Sequence, residues 1–202
     1  MAGTSTSPRS PARAGGVRHE LILGGQRSGK SRCAEERARH WLDAPGHSAV
    51  LLTTALAGDA EMRARIERHR ADRALRVPEL QLDEVPRALA QAVRKHSAPG
   101  HLVVIDCLTL WLTNLLMPMQ GEPLGEAALR IECDALCDAL WRAPGPVVIV
   151  SNEIGLGLAA SSAPARRFVD ELGRLHQAVA AGCDHVTLMV AGLEVAVKRA
   201  AA

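Results

Sequence analysis

The sequence predicts an α/β fold with a mostly parallel central sheet and helices on both faces of that sheet. Runs made almost entirely of Val, Ile and Leu alternate with segments whose apolar residues recur at helical spacing. Continuous apolar runs are typical of strands that are buried on both faces, as the strands of a parallel sheet are. A glycine-rich loop directly after the first run supports the same class. With 202 residues, 48% of them hydrophobic, the chain can bury the full core of one domain.

Five apolar runs are predicted to be strands, over residues 19–25, 49–54, 102–106, 147–151 and 185–191. The segments between them predict helices over residues 31–43, 60–74, 84–96, 126–142 and 165–181. Pro86 and Pro164 suit the first turns of two of these helices, because a proline lacks only an N–H that has no partner there. Residues 117–125 are expected to form the one long irregular segment.

Residues 1–18 are predicted to be a disordered tail, and residues 19–202 a single folded domain. The tail consists mainly of Ser, Pro, Arg, Ala and Gly, so it has almost nothing to bury. It also lacks the apolar stretch of a signal peptide. The five cysteines are an odd number, and we therefore expect reduced thiols and a cytoplasmic protein. Cys133 and Cys137 fall on the apolar face of a predicted helix, which favours core packing over metal binding.

Composition argues against two classes of partner. The net charge of +2 is too small to indicate a nucleic-acid partner, and three Trp, one Phe and no Tyr leave little surface for base stacking. No apolar run reaches the roughly 20 residues that a membrane span needs.

The segment after Leu21-Ile22-Leu23 has a pattern that is typical of phosphate binding. It reads Gly-x-x-x-x-Gly-Lys-Ser, and its residues, called the phosphate loop below, are Gly24, Gly25, Gln26, Arg27, Ser28, Gly29, Lys30 and Ser31. The glycines permit a tight turn whose N–H groups surround an anion, and the following helix adds the positive end of its dipole. We expect Lys30 to contact the terminal phosphates and the Ser31 hydroxyl to ligate Mg²⁺.

Polar residues follow three other predicted strands, at the sheet edge where the phosphate loop lies. They are Thr53 and Thr54 after the second strand, Asp106 after the third and Glu153 after the fourth. Asp106 resembles the strand-end acid that holds Mg²⁺, directly or through water, in phosphate-loop proteins, although such a residue is also a common cap. Glu153 is a second candidate acid, either for a metal-bound water or as a base for an attacking hydroxyl. Its alternative is a polar loop residue.

The helix predicted over 60–74 carries many arginines and one histidine, His69. Met62, Ile66 and His69 are predicted to share one face of this helix, so that His69 lies with the apolar residues. One interpretation is an amphipathic helix with a solvated charged face. The other is a functional imidazole near arginines, since a neutral imidazole nitrogen can attack a phosphorus and Arg⁺ can stabilise the charge that develops.

Four motifs together resemble one enzyme family, that of bifunctional adenosylcobinamide kinase / adenosylcobinamide-phosphate guanylyltransferase. The motifs are the phosphate loop, then Asp59-x-Glu61-Met62-x-x-Arg65-Ile66-x-x-His69-Arg70, then Asp106-Cys107-Leu108-Thr109-Leu110-Trp111-Leu112-Thr113-Asn114-Leu115, then Ser151-Asn152-Glu153-Ile154-Gly155-Leu156-Gly157. The resemblance extends from about residue 20 to 198. The loop alone is common to many families, whereas the four motifs in this order are specific.

The resemblance implies two reactions of cobalamin biosynthesis. ATP or GTP phosphorylates adenosylcobinamide, and GTP then donates GMP to adenosylcobinamide phosphate, giving adenosylcobinamide-GDP and pyrophosphate. It implies that His69 carries the GMP, that Arg70 contacts the nucleotide, and that Mg²⁺ accompanies the nucleoside triphosphates. It further implies a RecA-like sheet with one antiparallel strand, a homotrimer, and a kinase/guanylyltransferase domain over 19–202.

The chain also departs from the family pattern in places. Some members have two adjacent histidines where this chain has Arg68-His69, and Val77 and Gln81 lie where a Trp and a Glu are usual. His176 replaces a usual Asn, and the segment 159–164 differs as well. Two alternatives stay open: a kinase of another small alcohol without nucleotidyl transfer, and a nucleotide-dependent switch. The switch is disfavoured because the sequence lacks a guanine-reading Asn-Lys-x-Asp motif.

Overall fold

The apolar runs of the sequence form the centre of one seven-stranded sheet. The structure, a computed structural model, describes residues 19–157 and 162–200. Its strands are β1 (His19–Gly24), β2 (Ser48–Thr53), β3 (Gln81–Glu84), β4 (His101–Asp106), β5 (Val147–Val150), β6 (His185–Val190) and β7 (Leu193–Lys198). Its helices are α1 (Lys30–Leu42), α2 (Ala60–Arg76), α3 (Leu89–His96), α4 (Leu108–Leu116), α5 (Glu126–Trp141) and α6 (Ala163–Gly182).

The strands lie in the order β3-β2-β4-β5-β1-β6-β7. All neighbouring pairs are parallel except β6 and β7, which are antiparallel. The predicted α/β class with a mostly parallel sheet is thereby confirmed. Because β1, β2, β4 and β5 run in the same direction, their carboxyl ends lie at one edge of the sheet. That edge carries the segments in which the candidate site residues were predicted.

Each face of the sheet is covered by its own apolar core. On one face, residues such as Leu21, Val103 and Ile149 pack against α3, α4, α5 and α6. On the other face, Ile22 and Val104 pack against α1, whose contact residues Cys33, Ala34 and Ala38 are small. Small side chains allow the helix to lie close to the sheet. The phosphate loop, which joins β1 to α1, is therefore held between a central strand and a tightly packed helix.

The structure corrects one predicted helix and adds three elements. The helix predicted over 84–96 is wrong in its first part, because residues 81–84 form β3 beside β2 and α3 begins only at Leu89. Pro86 therefore precedes the helix, and its carbonyl accepts a hydrogen bond from the Asn114 amide. Strands β3 and β7 and helix α4 were not among the predicted elements. Pro164 does lie in the first turn of α6, as predicted.

The short helix α4 fastens the Asp106–Asn114 motif to the rest of the fold. Trp111 is fully buried, and its indole N–H donates to the Arg87 carbonyl at 2.8 Å. The Asn114 amide donates to the Thr54 carbonyl at 2.8 Å and to that of Pro86 at 2.9 Å. These bonds satisfy backbone carbonyls in two loops, where the groups have no partner in the sheet. The motif thus has a structural role beside any role of Asp106.

The predicted tail over 1–18 and residues 159–161 of the 159–164 segment lie outside the described residues. Within 19–157 and 162–200, no helix is both long and apolar enough to cross a membrane.

Candidate nucleotide-binding site

The phosphate loop takes a backbone conformation that its glycines make possible. Gly24 has φ 151° and Gly29 has φ 103°, and Arg27 also has a positive φ of 57°. A Cβ on Gly24 would lie 2.5 Å from the Met189 carbonyl oxygen, so no larger residue fits there without a shift. Gly29 is the N-cap of α1, whose first turn contains no acidic residue. The N–H groups and the positive dipole end of α1 therefore adjoin the loop without an internal counter-charge.

The side chain of Lys30 is buried against the phosphate loop, and its ammonium group contacts loop atoms. Only 7% of this residue is exposed, and its Nζ donates to the Gly25 carbonyl at 2.6 Å and lies 3.4 Å from Ser28 Oγ. Ser31 is half-buried, whereas Gly25, Gln26 and Arg27 are exposed. A buried ammonium beside several N–H groups makes the loop strongly attractive to an anion.

Two neighbouring segments hold the loop in place. On one side the Glu153 N–H donates to the Gly24 carbonyl at 3.0 Å, and on the other the Gly192 N–H donates to the Ser28 carbonyl at 3.0 Å. Gly192 belongs to the tight turn between β6 and β7. The loop is therefore bounded by the segment after β5 and by the last hairpin of the sheet.

Asp106 ends β4 at the edge where the loop lies. It is half-buried and lies in register with Thr53 of β2 and Val150 of β5. Burial lowers the pKa of Arg73, and the carboxylates of Glu35 and Asp106 oppose this shift. Arg73 therefore lies close enough to Asp106 for their charges to interact. Asp106 thus offers hard oxygen atoms within the electrostatic range of a cation, at the end of the strand, as its place in the motif predicts.

Thr54 is engaged in the fold itself. It is fully buried, its hydroxyl donates to the Cys107 carbonyl at 2.7 Å, and the Cys107 N–H donates back to it at 2.9 Å. These bonds join the end of β2 to the end of β4. A nucleotide contact by Thr54 or Thr53 stays a prediction, and the Thr54 hydroxyl already has both a donor and an acceptor.

Glu153 lies at the end of a chain of polar groups. Its Oε1 accepts from the Gly155 N–H at 2.6 Å, and its Oε2 lies 3.7 Å from His176 Nδ1. His176 Nε2 is 2.7 Å from Ser151 Oγ, which is 3.1 Å from Thr109 Oγ1. Burial lowers the pKa of His176, and the Glu153 carboxylate opposes this shift. We therefore expect a neutral imidazole at pH 7.

The arginines of helix α2 differ in their partners and in their exposure. The Arg76 Nε donates to Glu35 Oε2 of α1 at 2.8 Å, which fixes the end of α2 against the helix that follows the phosphate loop. Arg70 instead pairs with Glu84 of β3 in an exposed ion pair. Arg73 is half-buried between them, and its position near Asp106 was not predicted.

His69 lies in the continuous helix α2, whose spacing keeps it on the face of Met62 and Ile66, as predicted. It is exposed, however, whereas Met62 and Ile66 are half-buried. Within the described part of the chain, the structure shows no hydrogen bond or ion pair that involves the His69 side chain. The structure therefore does not join His69 to the phosphate loop.

An open groove of about 700 Å³ lies apart from this edge. It is lined by residues near the amino ends of strands, such as Glu20, Leu102 and His185, and by Trp41 of α1. Its central cation, Arg37, is already bound by Glu20 at 2.9 Å and by Glu194 at 2.6 Å. Lys198 also lines the groove, and its Nζ donates to the Ala180 carbonyl at 2.8 Å.

Three residues of this edge were missed as site components: Arg73, Thr109 and His176. In the sequence, Arg73 is one of several arginines of a basic helix and Thr109 is one residue of a longer motif, so neither of them stands out. His176 follows Leu172 and Leu175 on the buried face of α6, so a histidine on an apolar stripe was the available signal.

The fold and the loop together define a phosphate-loop nucleotide-binding protein with a RecA-like sheet. The flagellar accessory protein FlaH from Methanocaldococcus jannaschii has the same fold, with a TM-score of 0.51 over 92% of this chain and 81% of that chain. The two sequences are only 12% identical, so this likeness concerns the fold alone.

Residues 20–197 match the family described as cobinamide kinase / cobinamide phosphate guanyltransferase, and the chain belongs to that family. The bifunctional adenosylcobalamin biosynthesis protein CobP of Pseudomonas aeruginosa is 45% identical, over 89% of this chain and 96% of the relative. The bifunctional adenosylcobalamin biosynthesis proteins CobU of Escherichia coli and Salmonella typhimurium are 35% and 36% identical, each over 88% of this chain and 98% of the relative. The family predicted from the four motifs is confirmed.

Proposed function

We propose that the chain phosphorylates adenosylcobinamide with ATP or GTP and then transfers GMP from GTP to the adenosylcobinamide phosphate. The products are adenosylcobinamide-GDP and pyrophosphate, formed in cobalamin biosynthesis. Membership of the family and the names of its relatives support both activities. The observation that carries the proposal is the phosphate loop, whose first residue is hydrogen-bonded to the segment of Glu153.

In the kinase step, Lys30 and the loop N–H groups hold the triphosphate and stabilise the charge on the transferring phosphoryl group. The substrate hydroxyl attacks the terminal phosphorus, the bond to the bridging oxygen breaks, and the hydroxyl proton leaves to a base or to water. Glu153 is the candidate for that proton or for a hydroxyl-positioning role. Its backbone N–H is bonded to the Gly24 carbonyl of the loop, and its side chain is only partly exposed.

The residues of this edge fit Mg²⁺, because the Ser31 hydroxyl and the Asp106 carboxylate are hard oxygen donors of the kind that this ion prefers. Both residues are half-buried, at the start of α1 and the end of β4. Bound Mg²⁺ would neutralise charge on the nucleotide phosphates. Ser31 and Asp106 are the residues that would hold it.

In the nucleotidyl step, a neutral His69 nitrogen attacks the α-phosphorus of GTP. A P–N bond forms and pyrophosphate leaves, and a phosphate oxygen of the corrinoid then displaces the imidazole. The exposure of His69 leaves its ring accessible for this attack. Arg70 and Arg73 on the same helix supply positive charge for the phosphates.

We further propose a cytoplasmic homotrimer. All five cysteines are free thiols, as expected in a reducing compartment. The edge strand β7 has the exposed apolar side chains of Leu193, Val195 and Val197 on one face, which favours a subunit contact.

A test with α-labelled GTP separates the two activities. We expect the wild-type protein to keep a GMP adduct that is acid-labile and alkali-stable, as a phosphoramidate is. His69→Ala should lose both the adduct and GMP transfer, while phosphorylation of cobinamide from γ-labelled ATP should fall far less. The matched control is His40→Ala, which removes an exposed histidine of α1.

An adduct that persists in His69→Ala would contradict the role of His69. If the wild-type protein phosphorylates cobinamide but forms no adduct and no adenosylcobinamide-GDP, the chain has the kinase activity only. A wild-type protein that phosphorylates another small alcohol, and not cobinamide, would establish the alternative substrate.

A further inference from the structure

His176 occupies a position that a purely apolar side chain could fill. It lies on the buried face of α6 with Leu172, Leu175 and Val179, and only 7% of the residue is exposed. Burying an imidazole is unfavourable unless its ring nitrogens have partners. Both nitrogens of His176 do face polar atoms, namely Ser151 Oγ and Glu153 Oε2.

The Glu153 carboxylate favours a proton on the nitrogen that faces it. Its Oε2 lies 3.7 Å from His176 Nδ1, and an ionised carboxylate can only accept hydrogen bonds. With the proton of the neutral imidazole on Nδ1, Nε2 is an acceptor for the Ser151 hydroxyl, whose Oγ lies 2.7 Å away. Ser151 Oγ can in turn accept from the Thr109 hydroxyl at 3.1 Å, while Thr109 Oγ1 accepts from the Asn152 N–H at 2.8 Å.

Glu153 is held from three directions. Its backbone N–H binds the first residue of the phosphate loop, its Oε1 accepts from the Gly155 N–H, and its Oε2 faces His176. The first two contacts fix the main chain and one oxygen atom. Among the described residues, the third contact is the one that the structure gives to the other oxygen, and His176 therefore bears on the direction of the carboxylate.

We propose that His176 is a positioning residue for the reaction. Through the chain Thr109–Ser151–His176, it presents an N–H to Glu153 and fixes the orientation of a carboxylate whose backbone is bonded to the phosphate loop. This inference rests on the proposed function of Glu153, whether that carboxylate accepts the proton of the substrate hydroxyl or holds a metal-bound water. Both roles require one fixed orientation of the carboxylate. His176 itself touches no reacting group.

The kinetic test is a double-mutant cycle on the kinase step. His176→Phe keeps a flat ring in the core but removes both nitrogens. We expect kcat to fall roughly tenfold while the KM for the nucleotide changes less than about twofold, because the phosphate loop is untouched. In a Glu153→Gln background, His176→Phe should cause almost no further loss. Equal losses in both backgrounds would overturn the proposal, since they would indicate an effect independent of Glu153.

Ser151→Ala is the second variant, in case His176→Phe folds poorly. It keeps the imidazole but removes the group that directs its proton to Nδ1. We expect a smaller loss of kcat, again absent in Glu153→Gln. His40→Phe, on the exposed surface of α1, is the control and should leave kcat unchanged.

A readout that needs no turnover separates this inference from the proposed function. In ¹⁵N NMR spectra of the wild-type protein, the His176 ring should show a protonated Nδ1 and an unprotonated Nε2. In Ser151→Ala this preference should be lost. A ring with its proton on Nε2 in the wild-type protein would contradict the inference even if both enzyme activities are found. An Nδ1–H ring in a protein that does not phosphorylate cobinamide would instead contradict the proposed function alone.

Discussion

At the scale of single residues, Asp106 and Thr54 show that neighbouring polar residues at a strand end can have different roles. Thr54 is fully buried and exchanges two hydrogen bonds with Cys107. Asp106, one residue before Cys107, is half-buried and lies near Arg73. The Thr54 hydroxyl both donates and accepts a hydrogen bond within the fold, so its role is structural. The Asp106 carboxylate keeps lone pairs that can bind a ligand.

Asp106→Asn tests the metal role at this scale. Asparagine keeps the size of the side chain but removes its charge, so we expect nucleotide binding with Mg²⁺ to weaken by about tenfold or more. Binding measured in EDTA should change little. Isothermal titration with and without Mg²⁺ provides the measurement. An equal loss under both conditions would mark Asp106 as a cap of the strand end instead.

At the scale of elements, the sequence predicts the central strands well because their signal is local. The centres of β1, β4 and β5 are buried on both faces, so each of these strands contains a continuous apolar run. β3 lies at an edge of the sheet, and its residues Gln81, Asp83 and Glu84 are polar, so the sequence has no apolar run that would predict this strand. α4 is apolar on nearly all sides, so it lacks the polar face that marks a surface helix.

The parts of the site that are contiguous in sequence were predictable, and those that depend on packing were not. The phosphate loop is contiguous in sequence, and the parallel order of strands brings Asp106 and Glu153 to its edge. The contact of His176 with Ser151 depends on how α6 packs against α4 and β1, and no spacing along the chain encodes that packing. The exposure of His69 likewise follows from where α2 rests against α1, through Arg76 and Glu35.

Gly24→Ala tests how tightly the loop is fitted to its surrounding elements. The new Cβ would meet the Met189 carbonyl at 2.5 Å and Ser28 Oγ at 2.7 Å, at a φ of 151° that alanine rarely adopts. We expect the free energy of unfolding to fall by roughly 1–3 kcal/mol. Gly25→Ala is the control, since its Cβ meets nothing within 4 Å. Chemical denaturation without nucleotide should show the difference, and equal effects of the two changes would refute the argument.

At the scale of the whole molecule, the sheet ends in a strand that is exposed along its full length. Every residue of β7 is exposed, and its residues Leu193, Val195 and Val197 carry 70%, 48% and 63% exposure on one face. Alternation along a strand places these three side chains together. An apolar edge of this kind is an unfavourable surface for an isolated subunit.

Val195→Lys should therefore dissociate the proposed trimer. A charge at the middle of the apolar row would be desolvated in any contact that covers β7. Light scattering after size-exclusion chromatography should give a trimer mass for the wild-type protein and a monomer mass for the variant. Ile131→Lys places the same charge at an exposed apolar residue of α5 and should stay trimeric. A monomeric wild-type protein would contradict the assembly outright.

The attachment of the phosphate loop to the last hairpin has a consequence for how the protein matures during synthesis. The loop is among the first parts of the folded chain to be made, yet its strand β1 pairs with β5 and β6, and Ser28 is bonded to Gly192. Those partners are translated late. A nascent chain therefore contains the whole nucleotide motif well before the neighbouring segments that shape it. We expect the loop to reach its nucleotide-binding conformation only after β6 and the turn at Gly192 have been made.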